Sequence, residues 1–538
     1  MKRVINICVL ALAVLFLVIA SLKIKYPGIN YDELLFVNAV RNFAPDNIYV
    51  KLRLAGIPFM LTAYIGALKS YLYFPIFSIF GYSVETIRIP MIFLMSIGIW
   101  IFYRSVLHLS NNQYAAFFCA FFLAIDPSVI ILTRADQGPI VIELFFKILT
   151  LLLLGKFLNS GRIQFIWSIA FVLFLGTFNK LNFIWSVNAL LFGSIIYWKE
   201  AWQYFKNYSI RQRANFLVAL VFTYLPSFSF FIWAKQTFDL SVKNPGITFW
   251  LYGFPAHERL WYLIRGMLDF SLPLTFGLSI PNGTFARYGI SIFIVSVIVA
   301  LVLIVNNRKN INKIEKLWLF AMFSFFAISA QLYYTWRAIS VWHAINIYPF
   351  VIIITVASLF IIHDRLHKLQ NIAKILSLFL LLYFVGIRLF IYRRYYINLE
   401  KPVSSVHWSN RIYDLIDFVD STDKNIYLIE WGALTQLRSF AKTPEKIWEP
   451  LELRQQAECL EFPVNDYKPE LFYQKYLKNS SNNLFISLGD VNKFQSLRQS
   501  EFLALVKSKN LKLKTEKVFR DGENISYTVY SIQSDPRD

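Results

Sequence analysis

A chain of 538 residues in which 57% are hydrophobic, 18% aromatic and only 16% charged has too few polar side chains to cover itself as one soluble domain. The formal net charge of +21 raises nucleic acid as a partner. No zinc-ligand spacing or RNA-binding signature accompanies that charge, and Lys and Arg also gather in cytoplasmic loops beside anionic head groups. The composition is that of a polytopic membrane protein with no nucleic-acid partner. Cys8, Cys119 and Cys459 build neither a disulfide framework nor a metal cluster.

The chain begins "MKRVINICVLALAVLFLVIASLKIKYPG", a basic start followed by an apolar run of about eighteen residues, long enough to span. A cleaved signal peptide has a shorter core and a clearer small-residue site, so this segment reads as an uncleaved first helix. Further spanning runs fall at 85–107, 113–132, 139–158, 165–181, 183–198, 214–233, 288–306, 317–335, 344–362 and 371–391. With 4–22 they make about eleven spans. The stretch 54–80 is apolar but interrupted by Gly56, Pro58, Gly66, Lys69 and Pro75, and is expected as a pair of helices lying at the interface. "WKEAWQYFKNYSIRQR" (198–213), "NNRKNINKIEK" (306–316) and "HDRLHKL" (363–369) carry the basic loops and are placed in the cytoplasm with Lys2 and Arg3. Residues 23–84, 133–138, 234–287, 336–343 and everything after 391 then face outward. Residues 392–538 turn polar, with strand-like "NIYLIEW", "NLFISLGD" and "ISYTVYSI" and helical "NRIYDLIDFVDS", which predicts a small extracytoplasmic α/β domain. The fold class is mainly α: a transmembrane helical bundle over 1–391 with that domain on its outer face.

Ionisable residues beside hydrocarbon are costly and mark function by default. The outward side collects Asp32 and Glu33 after the first span; Asp126, Arg134 and Asp136 in "DPSVIILTRADQGP" (126–139); Lys180 in "GTFNKLNF" (176–183); and Arg337, His343 and Tyr348 in "YYTWRAISVWHAINIYPF" (333–350). Carboxylates and cations on one membrane face suit transfer of a sugar from a lipid phosphate. A carboxylate takes the proton of the attacking hydroxyl, and Arg or Lys stabilises the departing phosphate.

"YDE" at 31–33, "YIGALKSYLYFPIFSIFGYSVETIRIP" (64–90), "LTRADQGP" (132–139) and "WHAINIYPF" (342–350) together give the chain its family likeness. Over residues 1–390 it resembles the C-type (GT-C) integral-membrane glycosyltransferases, the superfamily of the protein O-mannosyltransferases and the aminoarabinose transferase of lipid A. The resemblance implies Asp32 as base, Glu33 positioning the acceptor or Asp32, and Asp136 as a second acidic contact. It implies Arg134, Lys180 and Arg337 as phosphate contacts and His343 as a further contact, with Tyr348 beside them. A divalent metal is compatible with Asp32, Glu33 and Asp136, although no spacing requires one. The implied partners are a polyprenyl-phosphate sugar donor, membrane lipids, and a glycolipid, glycan or protein acceptor. The implied setting is a bacterial cytoplasmic (inner) membrane. No inserted β-trefoil domain is visible, which leaves a protein acceptor in question.

Structural roles compete at each position. Asp32 and Glu33 suit the first turn of a helix; Arg134 and Asp136 suit an ion pair pinning two helix ends. Glu143 and Lys147, four apart, suit mutual neutralisation. Lys180 suits snorkelling, and His343 beside Trp342 an aromatic belt. The four sequons, "NYS", "NGT", "NSS" and "NIS", match by chance at this length. The rival functions are a transporter or lipid flippase of a cell-envelope glycoconjugate pathway, which calls for broken helices and charges near the midplane, and a non-catalytic scaffold.

Overall fold

A computed structural model describes residues 2–40, 50–238, 261, 284–335, 341–365, 370–403, 406–430, 432–450, 468–478, 480–489 and 493–533. Arg337, Cys459 and most of the 234–287 loop lie outside the described residues. The first helix, α1 (Lys2–Ser21), buries Val9, Phe16 and Ala20 and turns Val4, Ile7, Leu10, Val14 and Val18 outward, with Ile7 62% exposed. An apolar outer face of this kind is unfavourable in water and matched by lipid. Among the described residues five helices are long and apolar enough to cross a membrane, or six with one bent pair. The chain is an integral membrane protein.

The bundle follows in order: α2 (Tyr31–Leu35), the hairpin β1 (Leu52–Leu54) and β2 (Ile57–Met60), α3 (Leu68–Phe80), α4 (Val84–Ser110), α5 (Gln113–Ala124), α6 (Pro127–Arg134), α7 (Ile140–Ser160), α8 (Gln164–Asn179), α9 (Ile184–Ser194), α10 (Trp198–Asn207) and α11 (Ile210–Thr237). After the 238–284 connection come α12 (Thr284–Asn306), α13 (Lys313–Tyr334), α14 (Phe350–Arg365) and α15 (Gln370–Asn398). Helix starts follow local chemistry. Ser83, Ser209 and Asn312 cap α4, α11 and α13 in reciprocal boxes with Thr86, Gln212 and Glu315.

Several expected boundaries move for local reasons. The interfacial pair over 54–80 is instead a hairpin followed by a single helix, because Ala55 (φ 49) and Gly56 (φ 81) both adopt the left-handed conformation of a two-residue turn. The straight span over 113–132 breaks by 51°. There Asp126 accepts from Ser128 N and Val129 N and starts α6 anew, while Pro127 has no N–H to continue α5. The span expected from 344 starts at Phe350, after Pro349 and a 3-10 turn over Val341–Ile347. The basic loop after Tyr197 is partly helical: α10 lines up Trp198, Trp202 and Phe205 in stacked pairs.

Beyond α15, which runs to Asn398 rather than ending at 391, come α16 (Arg411–Asp420), β3 (Asn425–Leu428), α17 (Leu434–Phe440), β4 (Ile447–Trp448), β5 (Asn483–Leu488), α18 (Lys493–Ser508), β6 (Lys512–Asp521) and β7 (Asn524–Gln533). They form one five-stranded sheet in the order β4-β3-β5-β7-β6, parallel through β4, β3 and β5 and antiparallel from β5 onward. All six residues of β5 are buried, as expected for a central strand covered on both faces. The sheet domain sits against the segment joining α1 to α2. Gly28 N donates to Trp408 O at 3.1 Å, and Asn30 Nδ2 to His407 O at 3.1 Å. A Cβ on Gly28 would lie 2.2 Å from Ser409 O, so only glycine permits this approach.

Candidate active site

Five residues do not make a helix by themselves, so α2 has to be held. Asn30 and Glu33 form a capping box: Asn30 N donates to Glu33 Oε1 at 3.0 Å, and Asp32 N to Asn30 Oδ1 at 2.9 Å. Glu33 also takes a two-pronged ion pair from Arg88, Nε to Oε2 and Nη2 to Oε1, both at 2.8 Å, with both side chains buried. The remaining nitrogen of Arg88 reaches Ile24 O and Pro27 O. Arg134, at the end of α6, collects Ala20 O, Leu22 O, Lys23 O and Tyr26 O and lies over the rings of Tyr395 and Tyr396. Two buried guanidiniums thus grip the carbonyls that end α1 and lead into α2. From the other side Asn38 Nδ2 donates to Ser439 Oγ at 2.7 Å. Asp32, half-buried at the first turn of this rigid helix, differs from its buried neighbour Glu33.

A second cluster forms where α3, the α6–α7 turn, the start of α7 and the end of α8 meet. Lys69 Nζ lies 2.8 Å from Asp136 Oδ2 and donates to Asp136 O at 3.2 Å. Asp136 Oδ1 accepts from Ile140 N and Val141 N, both at 3.1 Å, so this carboxylate caps α7 while holding Lys69. Gly138 takes φ +76 in the turn, and the space beside it is bounded by Lys180 Nζ and the Phe36 ring. Through Phe36 this cluster adjoins α2, and Ser70 Oγ donates to Phe36 O at 2.7 Å. Lys180 Nζ is 3.8 Å from Glu143 Oε1. Lys147 Nζ donates to Ile345 O at 3.1 Å and to Asn346 O at 3.3 Å. Three lysines face two carboxylates in a region less than a tenth exposed. Among the described residues neither oxygen of Glu143 accepts a hydrogen bond, nor does Gln137 Oε1 or Asn179 Oδ1. A cationic excess beside unsatisfied acceptors suits an anionic, hydroxyl-bearing ligand.

The residues singled out in the sequence separate into three places. Asp136 and Lys180 meet in the lysine cluster, with His343 linked through Asn346, whose Nδ2 donates to His343 O at 3.1 Å. Glu33, expected to position the acceptor or Asp32, caps the helix that carries Asp32 and pairs with Arg88, while Arg134, expected as a phosphate contact, grips the carbonyls of the α1–α2 segment. Tyr348, expected beside the phosphate contacts, donates to Asp126 Oδ1 at 3.2 Å, and Arg388 Nη2 lies 3.4 Å from Asp126 Oδ2. That trio seals the helix break. Glu143 and Lys147 form no direct salt bridge among the described residues: Glu143 lies 3.8 Å from Lys180, and Lys147 donates to carbonyls, while the two charges still interact at longer range. Lys69 and Arg88 were missed as site residues, though a lone Lys inside the apolar 54–80 stretch and an Arg just inside a span are the signals that mark them.

Asp32, Glu33 and Asp136 do not fit a metal-ligand set. Both oxygens of Glu33 are held by Arg88 and those of Asp136 by Lys69 and backbone N–H groups. No group of three His, Cys, Asp or Glu is arranged for a metal among the described residues.

The fold is a helical membrane bundle with short, polar elements at one end, topped by a small sheet domain. Two solved structures share it. The crystal structure of ArnT from Cupriavidus metallidurans bound to undecaprenyl phosphate matches over 97% of each chain at 12% identity, with a TM-score of 0.52. The apo form of the same protein matches over 97% of each chain at 11% identity, with a TM-score of 0.53. Neither a protein-family model nor a curated protein sequence matches the chain.

Proposed function

We propose that the chain is a glycosyltransferase that moves a sugar from a polyprenyl-phosphate donor to an acceptor hydroxyl, with inversion, on the outer face of a bacterial cytoplasmic membrane. The observation that carries the reading is the buried lysine cluster beside α2, on a fold shared end to end with a protein crystallised with undecaprenyl phosphate. Asp32 takes the proton of the acceptor hydroxyl as its oxygen attacks the anomeric carbon. The sugar–phosphate bond breaks on the opposite side of that carbon, and one displacement gives inversion. Lys69 and Lys180 receive the negative charge that develops on the lipid phosphate. Asp136 keeps Lys69 in place, and Glu143 does the same for Lys180. The acceptor is a glycolipid, glycan or protein hydroxyl.

Orientation rests on charge. Arg104, Lys156, Arg162, Lys199, Lys206, Arg211, Arg213, Arg308, Lys309, Lys313 and Arg365 lie at the end of the bundle opposite the site, so that end is cytoplasmic and the sheet domain is outside. The bent α5–α6 pair with buried Asp126 and Arg388 is the feature a transporter would use. Their side chains are 0% and 6% exposed, and the pair is fastened by Tyr348, so it serves as a fixed brace.

The test uses purified protein in vesicles with a panel of polyprenyl-phosphate sugars and, as hydroxyl acceptors, the glycolipid, glycan and protein fractions of a bacterial cell envelope. Release of polyprenyl phosphate from at least one donor, abolished in Asp32→Asn, supports the reading. No release from any donor, or full activity in Asp32→Asn, overturns it.

A further inference from the structure

A cavity of about 330 Å³ opens between α5, α14 and α15, away from the lysine cluster. Its walls are apolar: Phe122, Leu359 and Leu381 are among the residues that line it. Phe122 is the lining residue of α5 farthest along the helix from Tyr114, and the Arg388 guanidinium lies 4.8 Å from its ring centroid. The polar lining residues, Tyr114, His363 and Ser377, come from the first turn of α5, the last turn of α14 and the early part of α15. All three therefore sit at the membrane face opposite the candidate active site. Among the described residues, Ser377 Oγ is buried without a hydrogen-bond partner.

We propose that this cavity holds one acyl chain of a phospholipid from the leaflet opposite the active site, with the head group at the Tyr114–His363–Ser377 rim. An apolar hollow gains nothing from water, and left empty it forfeits the dispersion contacts of its walls. From Tyr114 to Phe122 along α5 the depth is ~12 Å at 1.5 Å per residue, close to the ~15 Å of one leaflet's hydrocarbon. An isoprenoid tail is a poorer occupant. Its end carries no polar group to meet the Tyr114 and His363 side chains at the mouth of the cavity, whereas a phospholipid head group does. The site is separate from donor binding and stands whether or not the transferase reading does.

The experiment places purified full-length protein in phosphatidylglycerol–phosphatidylethanolamine vesicles with a trace of phospholipid carrying a diazirine at the chain end. Peptides are mapped after illumination. The expected result is labelling around Phe122 and Leu381 at least tenfold denser than on the lipid-facing residues of α1. Leu381→Trp, at the half-exposed edge of the cavity, removes that excess and leaves α1 labelling unchanged. Leu359→Phe serves as a second filling variant. Equal labelling on α1 and in the cavity overturns the proposal, as does labelling that persists in both filling variants. Displacement of the label by polyprenyl phosphate but not by unlabelled phosphatidylglycerol overturns it in favour of an isoprenoid.

Discussion

The arginine collar around the α1–α2 segment and the lysine cluster beside it are both buried and both ionic, yet they are built differently. In the collar Arg88 and Glu33 match in charge and geometry, and Arg134 is surrounded by four carbonyls and two aromatic rings. In the cluster Lys69, Lys147 and Lys180 exceed Asp136 and Glu143, and acceptors on Gln137, Glu143 and Asn179 make no hydrogen bond among the described residues. In the collar only Arg134 Nε lacks a partner among the described residues; a network so nearly paired fixes a shape, whereas one with several open acceptors is completed by something that binds. Arginine suits the first task because its planar fork serves several acceptors at once. Lysine suits the second as a mobile point charge.

Breaking the collar should therefore cost folding, and breaking the cluster should cost function. The largest effect is expected for Arg88→Ala, which leaves Glu33 buried without its cation and destabilises the protein by about 3–5 kcal/mol. The loss appears as a lower thermal midpoint and reduced yield of monodisperse protein in detergent. Asp32→Asn should come next, lowering kcat by roughly 10²–10⁴-fold with the thermal midpoint unchanged. A fall in stability as large as that of Arg88→Ala would assign Asp32 to the collar instead. Lys180→Met follows. Loss of one charge-assisted phosphate contact is worth about 1.5–3 kcal/mol, read as roughly ten- to hundredfold weaker binding of polyprenyl phosphate by calorimetry. The thermal midpoint should also fall, because Glu143 stays buried without its salt-bridge partner, but by less than in Arg88→Ala, since the 3.8 Å contact is looser than the two-pronged Arg88–Glu33 pair.

The smallest effect sharpens the contrast with a buried carboxylate lacking a direct cation. Glu430, past the end of β3, accepts from Ser487 Oγ at 2.9 Å and Leu488 N at 3.0 Å. Burial pushes its carboxyl up to about 7, against the opposing hydrogen bonds. Its folded form holds a proton that the unfolded chain gives up near the ordinary glutamate value. Stability is then lost as pH rises from about 4.5 to about 7. Glu430→Gln should flatten that part of the thermal midpoint–pH curve. An unchanged slope would show that other groups set it.

Composition and hydropathy were sufficient for the membrane class, for a helix at each expected span, and for the α/β character of the C-terminal part. Twenty apolar residues have few alternatives in lipid, because every backbone group must be satisfied within the segment. The strands "NIYLIEW", "NLFISLGD" and "ISYTVYSI" were equally plain from alternation and β-branched content. Asp136 and Lys180 were visible as expensive charges at helix ends, and tertiary structure alone gave them Lys69 and Glu143 as partners. It also decided that Glu33 belongs to Arg88, that Arg134 belongs to the end of α1, and that Tyr348 belongs to a sealed helix break. Sequence shows that a charge must be compensated. Which group compensates it depends on contacts across tens to hundreds of residues, and those exist only once the helices have packed.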